Sequence, residues 1–135
     1  MRDEERLKEI ELLMNELRND SKKGAIILVE GKKDERALRD LGIEGMVVVA
    51  SHYPLLQISD KMANDGVEIV LLTDWDKKGD LIAEKISTYL SALGRNVNLR
   101  IRTKLGDLIK KDVKEVENLP SYIARLRIEC RLSDE

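Results

Sequence analysis

Three short aliphatic runs constrain this chain more than any other feature: Ala25-Ile26-Ile27-Leu28-Val29, Met46–Val49 and Val67–Thr73. Each is rich in β-branched residues and lacks polar alternation, which is how a strand reads when both of its faces are buried. Helical spacing fills the intervals. Leu7, Ile10, Met14 and Leu17 make one apolar stripe over residues 3–18; Ala37, Leu38 and Leu41 make another from Asp34 to Leu41, with Gly42 as its stop. A helix is expected from Pro54 to about Ala63. Another runs from Asp80 to Leu93, where Ile82, Ile86, Tyr89, Leu90 and Leu93 share a face and Gly94 ends it. Alternation at Val97, Leu99 and Ile101 predicts a fourth strand over Asn96–Ile101, and two short helical patterns follow at about 107–116 and 121–130. Strand–helix alternation of this kind places the chain in the α/β class, as a roughly four-stranded parallel sheet with helices on both faces plus N- and C-terminal helices.

The 135 residues suffice for one domain with one core, spanning 1–135 with helical extensions at 1–23 and 102–135 around a central segment of about 24–101. Cys130 is the sole cysteine, which excludes an intramolecular disulfide and a cysteine-based zinc site and makes a reducing interior the default. The opening Met-Arg-Asp-Glu-Glu has no apolar signal core, and the longest apolar runs are far too short to span a bilayer. A cytoplasmic protein with no membrane association is the expectation. Charged side chains make up 37% of the chain with signs nearly balanced, 24 basic against 26 acidic, which argues against a constitutive coat for duplex DNA. Between Arg95 and Arg131, however, ten basic side chains face five acidic ones, and a local basic face is one way for an acidic protein to engage phosphate.

Ligands on parallel sheets bind at the carboxyl ends of the strands. The first run passes into Glu30-Gly31-Lys32-Lys33-Asp34, and the third into Thr73-Asp74-Trp75-Asp76-Lys77-Lys78-Gly79. If the backbone stays extended, Asp74 and Asp76 point to the same side, and Glu30 ends another strand of the same sheet. Three carboxylates then converge on one hard cation, for which magnesium is suited because it combines a few carboxylates with waters and phosphate oxygens. Gly31 and Gly79 would let the backbone turn and a phosphate approach closely. Taken alone, a Glu-Gly or an Asp-x-Asp is commonly a turn or a helix cap. Their joint placement at two buried strand ends is far more specific.

On these residues the sequence resembles the Toprim family: type IA and type II topoisomerases, bacterial-type primases, overcoming-lysogenization-defect nucleases and small maturation ribonucleases. "IILVEGKKDERAL" is similar to the family's hydrophobic strand ending in Glu-Gly, and "EIVLLTDWDKKG" to its strand ending in Asp-x-Asp. The resemblance covers about residues 24–101 and is strongest to small stand-alone, primase-like Toprim proteins. It implies a Rossmann-like Toprim fold, with Glu30 as general acid/base or part-time metal ligand and Asp74 and Asp76 as holders of magnesium, for which manganese is a substitute. Asp34 matches an acidic residue of primase-like members; it either supports a second cation or starts its helix through the dipole.

Lys32, Lys33, Lys77 and Lys78 flank the cluster as candidate phosphate contacts, together with Gly31 and Gly79. Ser51 and His52 follow the second strand at the same rim and are further candidates. Trp75 is expected to point away from the aspartates into the core, and Cys130 to pack. None of Tyr53, Tyr89 or Tyr122 sits in an appended domain, which counts against topoisomerase strand passage, and one cysteine in a chain this size counts against autonomous primer synthesis. Magnesium-dependent phosphodiester hydrolysis on RNA or DNA, with Glu30 relaying a proton, is the leading reading. Two others stay open. One is a non-catalytic Toprim module binding nucleic acid or a partner protein, with the Leu7/Ile10/Met14/Leu17 stripe serving a homodimer or partner interface as readily as the core. The other is a small phosphohydrolase or receiver-like phosphoacceptor, disfavoured because the Asp-x-Asp follows the third strand and Lys78 stands where a Thr or Val is wanted.

Overall fold

The computed structural model describes residues 1–133; the last two residues of the expected C-terminal extension, Asp134 and Glu135, lie outside the described residues. In chain order the elements are α1 (Asp3–Lys22), β1 (Ile26–Val29), α2 (Lys32–Asp40), β2 (Val47–Val49), α3 (Leu55–Asn64), β3 (Ile69–Leu71), α4 (Lys77–Ala92), α5 (Arg100–Ile109) and α6 (Leu119–Ser133), with 3-10 turns at Ala50–His52 and Val116–Asn118. The strands form one parallel sheet in the order β2-β1-β3, with Leu28 opposite both Val48 and Leu71.

Period-two geometry divides the strand residues between two cores. Ile27, Val29, Val49 and Val70 face a core closed by α1, α2, α5 and α6. Ile26, Leu28, Ile69 and Leu71 face a second core closed by α3 and α4 through Ile58, Met62, Ala83, Ile86 and Leu90. With both faces covered, β1 and β3 have no solvent side on which a polar residue is favourable, and this is why Ile26–Val29 and Ile69–Leu71 are aliphatic throughout. The α1 stripe belongs to the first core: Ile10, Met14 and Leu17 are buried there and Leu7 packs against them. In this structure the stripe is part of the chain's own core.

The fourth strand is a correction. Asn98 makes a single parallel bridge to Val70, and by Arg100 the chain is already helical. Ile101, Leu105 and Ile109, four apart, bury one side of α5, so the alternation at Val97, Leu99 and Ile101 straddles a strand-like residue and a helix start. The helix expected at about 107–116 is correspondingly displaced toward the N-terminus.

Topology then positions the site. The central strand β1 leads into α2 on one face, and its neighbour β3 leads into α4 on the other. Two adjacent parallel strands whose following helices part to opposite faces leave a crevice outside their carboxyl ends. Glu30 and Asp74 are the residues at that crevice.

Candidate metal centre

Glu30, Asp34 and Asp74 each bring a carboxylate oxygen into a group whose members all lie within 4.8 Å of one another. Backbone donors hold two of them. Asp34, only 6% exposed, accepts from Gly31 N–H at 3.0 Å and from Glu117 N–H at 3.0 Å. The first bond reciprocally starts α2, so the residue both begins its helix and joins the cluster. Asp74 Oδ1 accepts from Val116 N–H at 2.8 Å. Glu30 is held by Asp74, whose backbone N–H donates to Oε2 at 3.2 Å. The other oxygen, Glu30 Oε1, is buried with no hydrogen-bond partner.

That arrangement is electrostatically tense. Burial, contact with the Glu30 carboxylate and the charges of Glu30 and Asp76 push the Asp74 carboxyl up to about 7, against a lowering by the Val116 N–H. Burial and the Asp74 charge raise Asp34 in the same direction. Converging hard oxygens and an orphaned buried carboxylate oxygen are what a divalent cation of the magnesium or manganese type satisfies, and the donor set has neither sulfur nor nitrogen to favour a softer ion.

Asp76 is placed differently from the sequence expectation. Its side chain caps α4, accepting from Gly79 N–H at 2.7 Å, and it stays exposed at the mouth of the cleft, outside the group of three. The helix begins at Lys77 rather than at Asp80, and this turns Asp76 into a cap. The chain bends at Gly31, but without needing a glycine: its backbone is extended at φ −134° and ψ 172°, and an added Cβ would meet Asp34 Oδ2 at an ordinary 3.7 Å. Gly79 is required, but by the protein itself. A Cβ there would lie 1.9 Å from the Asp74 carbonyl oxygen, so the close approach is made by the loop rather than by a phosphate.

The three carboxylates sit in an open cleft of about 410 Å³ whose walls also carry Gly31, Lys32, Lys33, Ser51, Asp76 and Lys78. His52 and Lys77 are exposed and do not line it, and Gly79 is buried beneath it. Ser51 reaches the rim because its N–H donates to the Glu30 carbonyl at 3.0 Å. Trp75 turns into the core, 8% exposed, and its ring N–H donates to the Arg102 carbonyl at 2.9 Å. The expected basic face between Arg95 and Arg131 does not reach the cleft. Arg95 binds the carbonyls of Met62, Ala63 and Val67, Arg100 pairs with Glu16 and Arg127 with Glu11. Two residues absent from the sequence reading do line the cleft, Glu115 and Glu117. They contact one another, which raises the Glu115 carboxyl above its ordinary range. Nothing local in the sequence marks them; they arrive by folding of the segment before α6.

Known proteins share this sequence pattern and fold. A UPF0292 protein of Methanosarcina barkeri is 46% identical over 91% of this chain and 86% of its own length. One from Pyrococcus horikoshii is 36% identical over 92% of this chain and 91% of its own. A solved structure of a protein from Aquifex aeolicus superposes with a TM-score of 0.70 at 29% identity, covering 81% of this chain and 96% of that one. The model for the Toprim domain matches residues 25–119, from the start of β1 to the start of α6, and the chain belongs to the Toprim domain family.

Proposed function

We propose that this protein hydrolyses nucleic-acid phosphodiesters with a magnesium or manganese ion held by Glu30, Asp34 and Asp74. At the level of the family, the fold serves metal-dependent nucleic-acid metabolism, and the acidic cluster at the strand ends fits that role. The single observation that carries the finer reading is Glu30 Oε1, a buried carboxylate oxygen without a partner among converging acids. A cation bound there supplies charge neutralisation and Lewis acidity at a phosphodiester. Glu30, at the end of the central strand, moves a proton between the attacking water and the departing ester oxygen as the new P–O bond forms and the old one breaks. Asp34 and Asp74 keep fixed orientations through their backbone donors. Lys32, Lys33 and Lys78, on the cleft walls, meet the flanking phosphates and offset the acidic surroundings. Ser51 and Asp76 stand at the mouth, where a strand entering the cleft passes them.

No helix among the described residues is long and apolar enough to cross a membrane, which accords with a substrate met in solution. The test is purified protein with labelled single-stranded RNA, duplex RNA and DNA, in magnesium, manganese or chelator. Glu30→Gln keeps size and one oxygen but removes basicity, and cleavage should fall by about two to four orders of magnitude while binding survives. Equal cleavage by both proteins would mean a contaminating nuclease. Salt-sensitive binding without cleavage on any substrate would leave a non-catalytic module instead.

A further inference from the structure

We infer that Arg102, on α5, is a positioning residue for the carboxylate cluster, acting through the peptide unit between Thr73 and Asp74; the inference rests on the metal-centre reading above. Its side chain is 11% exposed and reaches the β3–α4 loop as a fork. Nε donates to the Thr73 carbonyl at 2.9 Å, and Nη2 donates to the Asp74 carbonyl at 2.5 Å and to Asp80 Oδ1 at 2.7 Å. The Thr73 carbonyl and the Asp74 N–H are opposite ends of one planar trans peptide. Arg102 holds the oxygen end, and Glu30 Oε2 receives the N–H end at 3.2 Å.

The consequence is directional. A guanidinium on the carbonyl fixes the plane of that peptide and strengthens its N–H as a donor, because hydrogen bonds in a chain polarise one another. Glu30 is thereby gripped by one oxygen, and the other, Oε1, stays buried without a hydrogen-bond partner. The clamp on the Asp74 carbonyl fixes the next peptide, from which the Asp74 side chain extends to the Val116 N–H. Arg102 thus sets the aim of two of the three carboxylates without touching any of their oxygens. Its own carbonyl, by accepting from the Trp75 ring, closes the loop around the Asp-x-Asp from the other side. A lysine could not reproduce this, since it lacks the planar fork.

Trp75 is the chain's one tryptophan and sits beside Asp74, so its fluorescence, quenched by paramagnetic Mn2+, reports cation binding directly. Arg102→Met keeps the apolar stem and removes the donors; Mn2+ affinity should weaken about 10- to 100-fold, the usual effect of losing a partner that orients a metal ligand. Arg102→Lys should recover only part of it. Leu126→Ala, on α6, serves as a destabilised control that removes no hydrogen bond to the β3–α4 loop, and its Mn2+ affinity should stay within about twofold of wild type. Undiminished affinity in Arg102→Met, or an equal loss in Leu126→Ala, overturns the assignment alone. If Arg102→Met does not fold, Arg102→Lys is read against the same control. Absence of Mn2+ binding by the wild type overturns the metal centre and the assignment together.

Discussion

Replacing Asp74 by asparagine should stabilise the cation-free protein, although it removes a candidate metal ligand. Asp74 is raised from an ordinary carboxylate value of 3.8 to about 7 by burial and by the neighbouring Glu30 and Asp76. A raised carboxyl favours the protonated folded state, so its stabilising effect is complete below the unfolded pKa and is lost as pH rises through about 7. Above that, an ionised Asp74 is held against its neighbours at a cost. A rise of that size has a ceiling of about 4 kcal/mol, and partial exposure to solvent screens this to about 2 kcal/mol. The asparagine cannot ionise, its carbonyl oxygen can keep the 2.8 Å bond from Val116 N–H, and its amide can donate toward Glu30. Calorimetry in chelator at pH 8 should therefore find Asp74→Asn melting about 5–8 °C above wild type, with the difference shrinking as pH falls toward about 4. Adding Mg2+ should raise the wild type and leave the variant nearly unmoved, because only the native wild-type site binds it. A variant less stable than wild type at pH 8 in chelator would refute the claim that these carboxylates repel one another.

Two further outcomes test the walls of the site. Changing Lys32, Lys33 and Lys78 together to alanine should weaken nucleic-acid binding and flatten its salt dependence by up to about 0.7–0.9 in log–log slope per lysine lost, measured by anisotropy titration; an unchanged slope would remove them from the interface. Gly79→Ala should cost about 1–3 kcal/mol in urea unfolding and weaken Mn2+ binding, because a Cβ 1.9 Å from the Asp74 carbonyl must displace the loop that carries the acid. A neutral substitution would show that this approach is not needed.

What could be read in advance was whatever is written locally. β1 and β3 announce themselves as aliphatic runs, and the acids that follow them, Glu30 and Asp74, inherit their placement from the strand ends. Asp34 also sits within one turn of a legible helix start. Asp76 depended on where the backbone ceases to be extended, and a helix beginning three residues earlier than its apolar pattern turned it from cluster member into cap. The basic residues after Arg95 misled for a different reason. Several of the arginines have partners many residues away, such as Val67 for Arg95, Glu16 for Arg100 and Thr73 for Arg102, and composition cannot distinguish a free cation from one already engaged. Glu115 and Glu117 carried no local signal at all; the cleft acquires them because the Trp75 main-chain N–H binds the Lys114 carbonyl and the Asp74 and Asp34 carboxylates hold the N–H groups of Val116 and Glu117.

The amides of Val116 and Glu117 that grip Asp74 and Asp34 belong to the main chain. A side-chain donor disappears with one codon change, but a main-chain N–H survives every substitution except proline. This part of the centre can thus tolerate drift in residue identity while keeping its donors, and a catalogue of site residues drawn from side chains alone would overlook it. At position 117 an imino acid would reveal that the segment belongs to the site, whereas Val116 is constrained a second time by its side chain, which is buried in the core.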